Sequence, residues 1–210
     1  MVKIENVQVW GFEGAIRGMR QPKNSFDKDD SYYDDDGYFH AGENNLKLMS
    51  ALSNAGTDHG KFMRMIHVQC DITAPVFFDA ELDTYKVATT RNSGSLQHKG
   101  ASRDFTIDDF TTCDGDKDLA GVWISLINSI NELRVKYNET KDYKYFRQMR
   151  ALMPMGYNYR FTWDANYATL KNIYHARKHH ALSEWSEEFC KWIETLPYAK
   201  ELIIGEKNEV

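Results

Sequence analysis

Two polar side chains sit on what the sequence marks as an apolar helix face. At 100° per residue, Asn166, Leu170, Ile173 and Arg177 share one narrow stripe, at i, i+4, i+7 and i+11, on a helix expected to run from about Asp164. Tyr174 widens that stripe. An amide and a guanidinium among apolar neighbours need partners, because an unpaired buried charge costs far more than it returns. Either the protein supplies them, through an acid such as Glu184 or Glu188, or a ligand does. Upstream, residues 83–100 (D-T-Y-K-V-A-T-T-R-N-S-G-S-L-Q-H-K-G) concentrate hydroxyls, amides and cations, among them Lys86, Arg91 and Ser95. These are the groups that hold phosphates, ribose and base edges, and a solvated surface loop has the same composition.

Other chemistry is weaker. His175 and His179 stand at i, i+4 with His180 adjacent, as in half a zinc site, but Arg177 and Lys178 lie between them and no glutamate base accompanies them. Solvated histidines outweigh zinc there. Asp34, Asp36, Gly37 and Glu43 match positions 3, 5, 6 and 12 of a calcium loop, yet position 1 is Tyr32 and no amphipathic helix precedes it, so a solvated turn is favoured. Neither a G-x-S-x-G nor a phosphate-binding P-loop occurs, and no nucleophilic hydrolase is indicated.

Composition sets the frame for these groups. A chain of 210 residues, 42% hydrophobic and 13% aromatic, is long enough to bury a real core as one domain. Its net charge of −5, with no block of basic residues, argues against a nucleic-acid footprint but leaves room for a few cations around a single nucleotide. Cys70, Cys113 and Cys190 are odd in number and widely spaced, which suits a reducing cytoplasm and offers no metal or redox pair. No signal-like amino terminus and no 18-residue apolar run is present, so no membrane association is expected.

The elements that must position the polar groups follow from periodicity. Val2, Ile4, Val7 and Val9 suggest an opening strand, and Gly11, Gly14 and Gly18 then suggest a loop. Residues 25–45 read as an acidic, tyrosine-rich loop or arm, and residues 44–55 as a short helix ended by Gly56. A second strand starts at His67 and ends around Pro75, with the loop of residues 83–100 after it. From Asp118, Leu119, Val122, Trp123, Leu126, Ile130, Leu133 and Tyr137 step as an amphipathic helix of about five turns. Another helix over residues 145–152 stops before Pro154, and Trp185, Phe189, Trp192 and Ile193 mark a last one before Pro197. The layout is α+β: an antiparallel-type sheet from the N-terminal half packed with a helical C-terminal half.

The run R-x-x-x-P at Arg150, then Asn166 twelve residues beyond Pro154, Asn172 six further and Arg177 five further, resembles the carboxy-terminal signature of flavin-dependent thymidylate synthases. The segment F-T-W-D-A-N-Y-A-T-L-K-N-I-Y-H-A-R resembles that family's N-x-x-x-L-x-N-x-x-x-x-R helix, and I-T-A-P-V-F-F resembles the strand leading to its hallmark, R-H-R followed by seven residues and a serine. At the hallmark this chain has Thr84-Tyr85-Lys86, seven residues, then Gly94. Ser93 and Ser95 flank that glycine, Leu96 stands where the family has an arginine, and Glu81 where it has a glutamine.

The resemblance implies an FAD-dependent methylation of dUMP to dTMP, with methylenetetrahydrofolate and NADPH as co-substrates and no protein nucleophile. It implies pyrimidine-nucleotide contacts from Arg150, Arg177, Lys86, Arg91 and Ser95, with Arg177 stabilising charge on the uracil ring, and flavin contacts from Asn166, Asn172 and Lys86. About 16 Å of helix separates Asn166 from Arg177, a span suited to an elongated cofactor. Lys86, Arg91, Lys99 or Arg103 would stand in for the missing hallmark cations from shifted positions. A homotetramer with shared sites is the family's assembly. A repurposed, non-catalytic flavin- or nucleotide-binding protein is the alternative, and a structural oligomer whose Arg150 and Arg177 make only ion pairs is a third.

Overall fold

The structure, a computed structural model, describes residues 1–95, 100–112 and 119–205. Leu96, Lys99, Cys113 and Asp118, for which the sequence raised expectations, lie outside the described residues. Four strands form the main sheet: β1 (Lys3–Trp10), β4 (His67–Pro75), β5 (Thr89–Ser93) and β6 (Asn158–Asn166), in the order β1-β4-β6-β5. The class is α+β with an antiparallel sheet, as the patterning predicts. Two-residue strands β2 (Tyr32–Tyr33) and β3 (Phe39–His40) pair antiparallel in a separate hairpin. The arm expected over residues 25–45 is therefore in part a hairpin.

The two inner strands show why they are strands. In β4, Val68, Cys70, Ile72 and Ala74 are buried and the residues between them are half-buried, a strict period of two. In β6, Phe161, Trp163 and Ala165 repeat the pattern. β6 corrects two expectations. The sheet is not built from the N-terminal half alone, and the stretch from Asp164 is strand up to Asn166, with the helix beginning at Tyr167. Asp164 is held in the strand by its neighbour across the ladder, accepting from His67 Nδ1 at 3.2 Å, and Thr162 Oγ1 donates to Asp71 at 2.6 Å.

The chain divides into two compact units. The first comprises Met1–Lys3, Ile72–Thr84 and Asn92–Phe161. Its core is Phe105, Phe110, Ile127, Ile130, Phe146 and Met149. The long amphipathic helix runs over Ala120–Thr140 and the next over Tyr143–Ala151, close to the expected bounds. A short helix at Val76–Leu82 is hidden in the sequence, because its V-F-F run continues the apolar character of β4.

The second unit comprises Ile4–Asp71, Tyr85–Arg91 and Thr162–Val210. The three-glycine segment, expected as loop, is in fact the helix Phe12–Arg20. Gly11 just before it has φ +97°, and a Cβ there would stand 2.1 Å from the Met65 carbonyl oxygen, so only glycine fits. This unit also holds the helices Glu43–Asn54, Tyr167–Arg177 and Cys190–Glu194, the short helical turn Gly60–Met65 and the wider turns at Glu184–Phe189 and Lys200–Ile204. Its core is aromatic: the Phe12 ring meets Tyr167 edge-on at 5.6 Å, and the buried Tyr167 hydroxyl donates to Pro197 O at 2.7 Å. That bond satisfies the one polar atom of a fully buried ring.

Candidate functional site

In the first unit, Arg150 and Ser95, two of the residues expected to hold a nucleotide, line a cavity of about 540 Å3. Ser95 follows β5, whose ladder extends to Gly94: its N–H donates to Arg160 O at 2.9 Å. Arg150 comes from the last turn of the helix Tyr143–Ala151, which Asp142 caps by accepting from Lys144 N at 3.0 Å. The chain then turns back at Pro154. The carbonyls of Met155 and Tyr157 accept from Phe77 N (3.1 Å) and Val76 N (3.0 Å), two helix-start donors that need external partners. Gly156 makes this turn possible, since a Cβ there would lie 2.5 Å from the Thr111 carbonyl oxygen.

Sequence reasoning missed Asp79, Tyr157 and Tyr159, which line the same cavity. Asp79 is buried, and burial raises the Tyr157 phenol above its ordinary range, aided by the Asp109 charge, so it stays a neutral donor. The cavity thus offers an exposed guanidinium, hydroxyls and phenols as donors and a carboxylate as acceptor. Its volume falls among small-molecule sites, roughly 300–1,000 Å3.

In the second unit the expected cofactor residues are Asn172 on the helix Tyr167–Arg177, Asn166 at its N-cap and Lys86 on the segment beside it. Asn166 is its N-cap: Oδ1 accepts from Thr169 N at 2.9 Å. This is a different role from membership of the helical stripe, and it explains why an amide is buried there at 3% exposure. Segment 85–87 lies along this helix. Thr169 Oγ1 donates to Val87 O at 3.1 Å near one end, and Arg177 Nε donates to the Tyr85 hydroxyl at 2.9 Å at the other. Lys86 lies between those two anchors and is exposed. Asn172, also exposed, lies about 60° round the helix from Thr169.

Arg177 is half-buried, and its guanidinium carbon stands 4.8 Å from the Trp185 ring and 5.6 Å from the Tyr85 ring. The protein itself therefore supplies two aromatic faces and a hydroxyl to this cation. Neither Tyr85 nor Trp185 stands out in the sequence for this, since a contact between residues 92 apart leaves no local signal.

The remaining hallmark positions are used structurally. Thr84 Oγ1 donates to Glu81 O at 2.7 Å, closing the end of the helix Val76–Leu82. Arg103 does not stand free to replace a lost cation, because it forms a two-point pair with Asp109, whose carboxylate also accepts from Thr106 N. Arg91 is exposed on β5. His175 Nε2 makes a 2.9 Å hydrogen bond with Ile203 O, and among the described residues no group of three or more potential ligands could hold a metal. The Asp34 carboxylate is spent on its own turn, accepting from Asp36 N at 3.1 Å and Tyr38 N at 2.8 Å.

The donor set suits a flavin. Among the described residues no hydrogen bond engages Asn166 Nδ2, the Asn172 amide or Lys86 Nζ. Three unspent donors on one helix and the segment beside it match a ligand rich in carbonyl and phosphate oxygens.

No protein family profile matches the sequence, and no curated protein is significantly similar to it. Solved structures are. Thymidylate synthase X (ThyX) from Helicobacter pylori, crystallised with FAD and dUMP, superposes with a TM-score of 0.72 at 14% identity, covering 97% of this chain and 97% of that one. A second crystal structure of flavin-dependent thymidylate synthase ThyX from Helicobacter pylori, complexed with FAD and dUMP, gives 0.72 at 16% identity over 96% and 97%. The chain has the ThyX fold. Among the described residues no helix is long and apolar enough to cross a membrane.

Proposed function

We propose that this chain is a flavin-dependent thymidylate synthase-like protein that binds FAD and a pyrimidine nucleotide and methylates dUMP to dTMP. The observation that carries the reading is the coincidence, in a ThyX fold, of three unspent donors (Lys86, Asn166 Nδ2 and Asn172) around the helix Tyr167–Arg177. In this reading they hold the flavin, and Arg150 and Ser95 hold the nucleotide in the first unit's cavity. In the second unit, Arg177, oriented by Tyr85 and Trp185, and the cations Arg91 and Lys86 are offered to a pyrimidine nucleotide and its phosphate. FAD, when bound, supplies hydride transfer, with methylenetetrahydrofolate as the one-carbon donor and NADPH as the reductant. The Tyr157 phenol, kept protonated, donates a hydrogen bond rather than accepting a proton. Homotetrameric assembly in a reducing cytoplasm completes the proposal and suits the buried free thiols of Cys70 and Cys190.

A second reading, a binder that has lost catalysis, is favoured by one observation: the Thr84 hydroxyl is turned back onto its own helix where the family signature has an arginine. Two assays separate them. FAD titration tests both readings, and NADPH-dependent formation of dTMP from dUMP and the folate tests the enzyme. Flavin binding without turnover selects the binder, and no flavin binding defeats both.

A further inference from the structure

Arg150 is a wall common to two hollows of the first unit. On one side lies the cavity of about 540 Å3 described above, and on the other a smaller one of about 350 Å3, lined by Tyr143, Phe146, Arg147, Arg150 and Ala151. The lining of the smaller hollow comes from one face of the helix Tyr143–Ala151, at i, i+3, i+4, i+7 and i+8. Phe146 is buried, and the exposed Tyr143 ring stacks on it at 5.5 Å and 24°. The far wall is therefore a fixed aromatic ring, whose hydroxyl makes no hydrogen bond among the described residues.

The charge in this hollow is uncompensated. Three other cations of the unit are spent within it: Arg103 on Asp109, Arg134 on Asp104 and Lys144 on Asp142. Arg147 and Arg150 are exposed, and among the described residues neither has an acidic partner or a side-chain hydrogen bond. One turn of helix, about 4.5 Å along the axis, separates them, and like charges at that spacing repel. The helix dipole favours a cation in the last turn, which accounts for Arg150 but not for a second guanidinium lining the same hollow. An anion shared between the two arginines removes the repulsion and takes up both donor forks.

We propose that the site continues past Arg150 and takes nucleoside diphosphates and triphosphates, with Arg150 on the phosphate next to the ribose and Arg147 and the Tyr143 hydroxyl on the next one out. The inference rests on the reading of the larger cavity as a nucleotide site. The two hollows meet at the residue that holds the first phosphate, so a lengthening phosphate chain passes from one into the other. The smaller hollow is walled by a single helix, and its occupant stays partly hydrated, which suits a phosphate and not a base or a pterin ring.

Calorimetric titration of the full chain with dUMP and with dUDP, in magnesium-free buffer, tests this. dUDP is expected to bind about fivefold more tightly or better, the effect of one added charge-assisted contact at an exposed site. Arg147→Ala, a change at an exposed residue with no partner to lose, should bring the two affinities together, and Arg147→Lys should keep part of the difference. Pyrophosphate should displace dUMP more strongly than inorganic phosphate does. dUDP binding no more tightly than dUMP, or a preference that survives in Arg147→Ala, refutes the second phosphate position while leaving the nucleotide site standing. Binding of neither nucleotide defeats the nucleotide reading itself, and this inference with it. An Arg147→Ala variant that loses affinity for the folate instead gives Arg147 to that molecule's carboxylates and also overturns the proposal.

Discussion

Asn166 joins two tasks in one side chain, and substitutions can separate them. Its Oδ1 caps the helix Tyr167–Arg177 by accepting from Thr169 N at 2.9 Å, while Nδ2 has no hydrogen bond among the described residues. Asn166→Ala removes the cap and should cost about 1 kcal/mol, within the ~0.5–2 kcal/mol range for lost caps. Asn166→Ser keeps an acceptor of nearly equal capping strength, so its stability should fall by no more than a few tenths of that. Both lose the amide donor. If Nδ2 serves the flavin, each variant loses a neutral hydrogen bond of about 0.5–1.5 kcal/mol, or about 2- to 12-fold in FAD affinity. Urea unfolding followed by circular dichroism reads the first effect, and quenching of flavin fluorescence reads the second. A Ser variant with wild-type FAD affinity removes Asn166 from the flavin site. An Ala variant of wild-type stability refutes the cap.

Arg177→Ala should weaken dUMP binding by more than tenfold, about 1.4 kcal/mol, by calorimetric titration. Arg177→Lys should rescue it only in part, because an ammonium cannot lie flat against Trp185 while bonding Tyr85. Gly11→Ala should lower stability by at least ~2 kcal/mol in urea unfolding, from a Cβ 2.1 Å from Met65 O at a backbone with φ +97°. Burial pushes the Cys70 thiol up to about 12 and the Cys190 thiol up to about 11, with Asp71 and Asp164 adding to the first and Glu194 to the second. Neither should react with a disulfide reagent at pH 8 until the chain is unfolded, as mass spectrometry of labelled peptides would show. Their contribution to stability is complete below the unfolded thiol value near 9 and declines as pH rises from there toward 11–12. Unfolding midpoints that hold steady from pH 8 to 10.5 would contradict this.

The elements legible in the sequence are those whose burial repeats cleanly. Val68, Cys70 and Ile72 announce β4, and Trp123, Leu126, Ile130 and Leu133 announce the helix Ala120–Thr140. β6 is obscured because its alternating Phe161, Trp163 and Ala165 run directly into a helical stripe, and Asn166, which ends one and caps the other, fits both periods. The helix Phe12–Arg20 is obscured by its glycines: Gly14 and Gly18 face Met65, whose methyl carbon and sulfur would meet a Cβ at 3.5 and 3.3 Å. At the candidate site, the helix that carries Asn172 and Arg177 and is capped by Asn166 is visible because polar groups interrupt an apolar face. Its partners Tyr85 and Trp185, and the cavity residues Asp79 and Tyr157, are not, because they come together through tertiary packing.

The most direct test of the central claim is the binding of FAD to the purified chain. A preparation that carries bound flavin, or takes up added FAD stoichiometrically and releases it more readily when Asn166 is serine, is the predicted result. A colourless protein that leaves added FAD free in solution, while remaining folded, would contradict the account.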